Sequence, residues 1–232
     1  MKEIKFVGNV HVAYLDSIEC VEGVKLGIET FETYAPTCSN NDELVKLFKR
    51  NISGSMGPIG IRQSLKYLLP EHAHKFEFGY KFDPSSDFSR EHLKCIEMKT
   101  CTRSNDPYLK IEEKDICKSP ALYIGAIYEN CWEDTFKHLK KGVDYKDVDA
   151  IIKHISNRVV VRGAITGEDF HKLKDRKRFD MKRDECWCVS YKHLTPLGDW
   201  ILPHILLSET IINKKENLVF DKRIPIQYIE YI

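Results

Sequence analysis

The alternation of apolar and polar residues is strictest over Lys75 to Phe82. Phe76, Phe78, Tyr80 and Phe82 share one face there, opposite Lys75, Glu77 and Lys81, which predicts a half-buried strand. Ala121–Tyr128 and Val159–Ile165 are nearly continuous apolar runs, the pattern of central strands covered on both faces. Leu93–Thr102 predicts a further strand, and Cys186–Tyr191 another. Shorter strand-like pieces occur at Ile4–Val7, Val10–Leu15 and Val24–Phe31, punctuated by Gly8-Asn9, Gly23 and Gly27. Ile224–Ile232 reads as a last strand, after an apolar segment at Trp200–Leu207.

Helical spacing alternates with these strands. Leu44, Leu47 and Phe48 predict a helix from Glu43 to about Arg50, capped by Asn41 or Asp42. Gly54-Ser-Met-Gly-Pro58 then predicts a break, and a second helix begins near Pro58 with Ile61, Leu65 and Leu68 inside and Arg62 and Gln63 on the other side. Val148, Ile151, Ile152 and Ile155 predict an amphipathic helix over Asp144–His154. Thr166 caps a short helix with Glu168 and Asp169 in its first turn, where the dipole favours acids. Strands alternating with helices indicate an α/β protein. The whole chain reads as one domain: a β-rich extension over 1–40, a core over 41–195, and a C-terminal extension over 196–232.

Charge changes this picture at one place. On a strand, Glu97 and Lys99 must share a face while Ile96 and Met98 share the other. An acid and a base on a buried strand are costly unless something charged lies between or beside them. A divalent cation next to a phosphodiester would meet that need. A second carboxylate upstream would complete a metal site; Asp87 stands ten residues before Glu97 and Asp83 four residues earlier. Two carboxylates and a strand carbonyl are the hard oxygen ligands that Mg²⁺ prefers. An ammonium two residues from the acid can orient a water and offset phosphate charge.

Hydrophobic residues make up 42% of the 232 and charged residues 31%, with a net charge of +1, so neither nucleic acid nor a small ligand is excluded as partner. The basic residues are uneven: seven of the twelve residues from Lys172 to Arg183 are Lys or Arg. The stretch with Lys46, Lys49, Arg50, Asn51, Ser53, Gly54, Ser55 and Gly57 is basic and small, suited to close approach to a phosphate backbone and equally to a solvated linker. No apolar stretch reaches the roughly 18 residues of a membrane span, and the N-terminus lacks a secretion-signal pattern. The eight cysteines accordingly read as reduced thiols of a cytoplasmic protein, and Cys186-Trp-Cys188 as buried small hydrophobes rather than a zinc site.

The order Asp-(x)n-Glu-x-Lys resembles the PD-(D/E)XK, or restriction-endonuclease-like, nuclease superfamily. Ser86-Asp-Phe88 followed by Ile96-Glu-Met-Lys-Thr100 is similar to the Asp-Phe…Val-Glu-Leu-Lys-Thr of the mismatch-repair nicking endonuclease and its GATC-cutting restriction relatives. Val159-Val-Val-Arg-Gly-Ala-Ile-Thr-Gly-Glu-Asp-Phe170 resembles a strand followed by G-W-I-x-x-E-D-F seen downstream in such nucleases. The resemblance implies a mixed sheet flanked by helices, with extra strands at both ends. It implies Mg²⁺ (or Mn²⁺ in its place) held by Asp87, Glu97 and the Met98 carbonyl, with Asp83 in reserve and Lys99 serving the attacking water. The implied reaction is hydrolysis of a DNA phosphodiester leaving a 5′-phosphate, by a site-specific type II restriction-type endonuclease. A repair or nicking nuclease, or a non-catalytic nucleic-acid-binding or interaction protein that kept the fold, are the alternatives. DNA contacts are then expected from Lys49, Arg50, Gln63, Arg103, Arg176, Lys177 and Arg178, and a palindromic cutter would need a homodimer. Two departures from the family pattern stand out: Ser86 replaces the proline before Asp87, and Gln63 stands where the preceding helix often supplies a glutamate.

Overall fold

A computed structural model describes residues 4–7, 10–70, 73, 76, 96–101, 108–112, 116, 122–139, 146–173, 175–181 and 184–197, with the backbone alone for 4–7, 138–139, 175–181 and 184–185. Two strands, β1 (Ile4–Val7) and β2 (Val10–Tyr14), lead into two long helices, α1 (Ser17–Tyr34) and α2 (Asn41–Leu68). Then follow β3 (Ile96–Cys101), β4 (Tyr108–Glu112), β5 (Leu122–Tyr128), α3 (Trp132–Leu139), α4 (Val148–Ile152), β6 (Arg158–Thr166), α5 (Gly167–Leu173), β7 (Asp175–Met181) and β8 (Asp184–Ser190). Five strands form a mixed sheet in the order β1-β2-β6-β5-β3, antiparallel except for the parallel pair β5 and β3. A second, antiparallel sheet has the order β4-β8-β7. The protein is thus a mixed α/β fold.

The two expected central strands are there for the expected reason. All seven residues of β5 are buried, and β6 is buried at Val159, Val160, Val161, Ala164 and Ile165. On one face, Ile124, Ala126, Tyr128, Val159 and Val161 pack under the helices with Phe48, Ile52, Met56, Ile59 and Leu65 of α2. Each such buried side chain contributes about 1.5–3 kcal/mol. On the other face, Tyr123, Ile127 and Val160 pack against Leu109 and Ile111 of β4, Val189 of β8, Phe170 of α5, and Tyr191. The sheet is therefore sandwiched between a helical layer and a layer made chiefly of the second sheet.

The expected strand at Val24–Phe31 is instead part of α1. A capping box starts that helix: the Glu19 amide donates to Asp16 Oδ1 at 2.9 Å, and the Asp16 amide donates to Glu19 Oε2 at 3.0 Å. Cys20, Val24, Ile28 and Phe31 then recur at helical spacing and are buried. Gly23 and Gly27 are contact points rather than punctuation. A Cβ on Gly23 would lie 2.4 Å from Met56 Sδ, and one on Gly27 2.7 Å from Ile52 Cδ1, so α1 and α2 meet closely only because both are glycine.

The expected break at Gly54–Pro58 is also absent. One helix runs through, with Asn40, not Asn41 or Asp42, as its cap; Asn40 Oδ1 accepts from the Glu43 amide at 3.0 Å. Pro58 removes one backbone bond. Ile52, Met56, Ile59 and Ile61 are fully buried on both sides of it, and tertiary packing of this kind outweighs local propensity. The helix expected over Asp144–His154 contracts to α4, capped by Asp147. Its chain then turns so that the His154 carbonyl accepts from Thr135 Oγ1 of α3 at 2.6 Å. Of the expected Lys75–Phe82 strand only Phe76 is described, fully buried in the core under the helices. The Asp83–Asp87 turn, the apolar segment at 200–207 and the strand at 224–232 lie outside the described residues.

Candidate functional site

Strand β3 divides its side chains between the two layers. Ile96 and Met98 join the core beneath α2. Thr100 lies on that side too, since a Cβ on Gly57 of α2 would fall 1.7 Å from Thr100 Oγ1. Alternation sends Glu97 and Lys99 to the opposite face, as the sequence predicts. There Lys99 Nζ donates to Glu97 Oε1 at 2.5 Å. The Glu97 side chain is 6% exposed and that of Lys99 25%, so the pair sits at the rim of the core with the cation toward solvent.

Neighbouring strands fix what surrounds the pair. In the parallel ladder Glu97 lies beside Tyr123 and Lys99 beside Gly125. Phe170 of α5 packs on the Tyr123 ring, centroids 4.8 Å apart. The end of β6 sets this helix: the Asp169 amide donates to Thr166 Oγ1 at 3.0 Å, as the sequence cap implied. The segment likened to G-W-I-x-x-E-D-F thus braces the aromatic ring next to Glu97. Its Glu168 is exposed and bonded to Lys172 at 2.8 Å.

Glu97 brings one buried carboxylate and Met98 a peptide carbonyl, a hard-oxygen start suited to Mg²⁺. Among the described residues no group of three or more His, Cys, Asp or Glu side chains comes together. Asp83 and Asp87, which would complete the donor set, lie outside the described residues, as does Arg103. Cys186 and Cys188 are buried, in keeping with the apolar reading of that pair.

The expected nucleic-acid contacts are not on one surface. Gln63 is 3% exposed instead of facing outward, and its Nε2 donates to the Tyr14 carbonyl at 3.2 Å. Arg62, also expected outside, is buried against α1, where its Nη1 donates to Glu22 Oε1 at 2.6 Å. α2 crosses the sheet obliquely, with Gly57 over Thr100 of β3, Gly60 over Val159 of β6, and Gln63 over β2. Gln63 is therefore three strands from β3, roughly 14 Å, and on the helical side. It lies far from Glu97 and Lys99. Lys49, whose ammonium sits 5.9 Å over the Trp132 ring, and the exposed Arg50 belong to the same helical layer. Arg176, Lys177 and Arg178 lie in β7, the edge of the second sheet. Between Asp175, opposite Cys188, and Phe179, opposite Cys186, three residues of β7 face one of β8, so this basic triplet forms a bulge.

Sequence reasoning left one group on the Lys99 side unplaced. Gly125 and Gly163 continue the cross-sheet row from Lys99, and both lack the side chain that would keep a crossing segment away. The 3₁₀ turn Tyr191–His193 and the residues after it lie across them. A Cβ on Gly125 would be 3.1 Å from the Tyr191 ring, and one on Gly163 2.4 Å from the Thr195 carbonyl oxygen. Two glycines facing each other in apolar strands are the sequence signal for such a crossing. The chain matches no known family model, no curated protein and no solved structure. No helix among the described residues is long and apolar enough to cross a membrane.

Proposed function

We propose that the protein is a Mg²⁺-dependent DNA endonuclease of restriction-endonuclease-like type, cutting phosphodiesters at specific sites. The observation that carries this reading is the Glu97–Lys99 pair: a buried carboxylate and a rim ammonium 2.5 Å apart, on one face of a strand at the edge of a mixed sheet. Asp87, or Asp83, would join Glu97 and the Met98 carbonyl in holding the cation, which when bound would neutralise phosphoryl oxygens and make a water more acidic. Lys99 would orient that water and offset the growing negative charge. Water adds to phosphorus, the bond to the 3′ oxygen breaks, and the products are a 5′-phosphate and a 3′-hydroxyl.

A second reading has its own support. The Lys99 ammonium already satisfies Glu97, and an ion pair neutralised in this way also suits a protein that kept the fold and only binds nucleic acid. Plasmid DNA with Mg²⁺ or Mn²⁺ separates the two. Wild type is expected to nick or linearise it, while folded Glu97→Ala and Lys99→Ala variants leave it intact. Cleavage by the variants at the wild-type rate, or none by any protein, removes the catalytic reading; binding that weakens steeply with salt would then favour the second.

A further inference from the structure

We infer that Arg162, Lys192 and His193 form the phosphate-contacting rim of the Glu97–Lys99 face, so that the DNA backbone lies along the 191–195 crossing and not against α2. The inference rests on the nuclease reading for its substrate. Its geometry is independent of the metal.

Arg162 stands next to Gly163 in β6, at the point where the register with β5 shifts. Its guanidinium lies 5.2 Å over the Tyr191 ring, and its Nε is buried without a hydrogen-bond partner among the described residues. A guanidinium placed over an aromatic ring is anchored there and keeps N–H donors for an oxyanion. Tyr191 is buried and packs over Gly125, whose partner in the ladder is Lys99. Lys192 and His193 follow it in the same turn and are exposed. Three basic side chains are thus anchored, through Tyr191 and two glycines, to the row of the sheet that carries Lys99. The ammonium of Lys49 and the exposed Arg50 are on the other side of that sheet.

Duplex DNA without any divalent cation tests this by fluorescence anisotropy across a salt series. Removing one phosphate-neutralising side chain should lower the slope of log affinity against log salt by about 1. Arg162→Gln and Lys192→Gln are each expected to show that drop and weaker binding at a fixed salt concentration, while Arg50→Gln keeps the wild-type slope. Because Lys192 is exposed, its variant keeps the test valid if Arg162→Gln fails to fold. Wild-type slopes for both variants, or an equal drop in Arg50→Gln, overturn the inference. Cleavage of plasmid by wild type alongside that result would leave the nuclease reading standing, whereas absence of both binding and cleavage by wild type would remove the two together.

Discussion

Gly57 of α2 lies directly against Thr100 of β3: a Cβ there would fall 1.7 Å from Thr100 Oγ1 and 2.6 Å from its Cβ. The helix and the strand bearing Glu97 and Lys99 are in contact only because position 57 has no side chain. Gly57→Ala must push β3 or α2 aside, and overpacking of this kind costs about 1–3 kcal/mol or more. Gly54, one turn earlier, is exposed with nothing among the described residues within 4 Å of a Cβ. Gly54→Ala should therefore stabilise by about 0.5–1 kcal/mol through helix propensity. Urea denaturation of the two variants is expected to give midpoint shifts of opposite sign, with any cleavage activity falling in Gly57→Ala alone.

The ion pair between Glu97 and Lys99 is asymmetric in burial, and its two halves should respond unequally. Lys99→Met leaves the almost fully buried Glu97 carboxylate without its 2.5 Å ammonium. Removing one partner of a buried ion pair costs about 3–5 kcal/mol, reduced here because the pair reaches the rim. Glu97→Gln leaves Lys99, which already reaches solvent, and should cost about 1 kcal/mol, near the value of an exposed pair. Equilibrium unfolding of both variants and the double variant tests the order; equal losses would show that the carboxylate is not held by Lys99.

Cys20 and Cys131 should differ in reactivity. Burial, with Glu19 and Asp16 adding to it, pushes the Cys20 thiol up to about 11 from the usual 9.0. A thiol whose folded value is raised is neutral in the native state, so its contribution to stability is intact below pH 9.0 and is lost as pH rises toward about 11. Cys131 is exposed, its Sγ donating to Asp134 Oδ2 at 2.9 Å. A thiol reagent at pH 8 is expected to label Cys131 in the native protein and Cys20 only after denaturant is added. Cys20→Ala should flatten the loss of stability between pH 9 and 11, checked by denaturation at each pH.

Different parts of this arrangement were legible in the sequence for different physical reasons. The buried faces of β5 and β6 show as apolar runs because two layers cover them, and the shared face of Glu97 and Lys99 follows from strand geometry alone. α1 was not legible as a helix because Gly23 and Gly27, which look like turn residues, are sites of helix–helix contact whose partners Met56 and Ile52 are more than 20 residues away. The same holds for Gly57 and Pro58 inside α2, where tertiary burial overrides local preference. Nor could the sequence separate Gln63 from Glu97, since that depends on a strand order in which β6 and β5 intervene between β2 and β3. The Asp83 and Asp87 half of the site rests on spacing and resemblance, because those residues lie outside the described ones.

Gly163 joins the crossing segment to the sheet, and its substitution should act on binding through that segment. Its φ of +127° lies in a region that side-chain-bearing residues rarely adopt. A Cβ would also sit 2.4 Å from the Thr195 carbonyl oxygen, which accepts the Ala164 amide at 2.8 Å, while the Thr195 amide donates back to Ala164 at 2.9 Å. Gly163→Ala therefore meets both backbone strain, about 1–3 kcal/mol, and a clash with a carbonyl that cannot rotate away without breaking its hydrogen bond from the Ala164 amide. The crossing should lift from β6, carrying Tyr191 and the turn away from Gly125 and releasing Arg162 from its ring. Hydrogen exchange is expected to show reduced protection at Ala164 and Thr195, with protection retained at the buried amides of α2. DNA affinity should fall by a similar factor to that expected for Lys192→Gln; unchanged protection at Thr195 would mean that the glycine is not what holds the segment down.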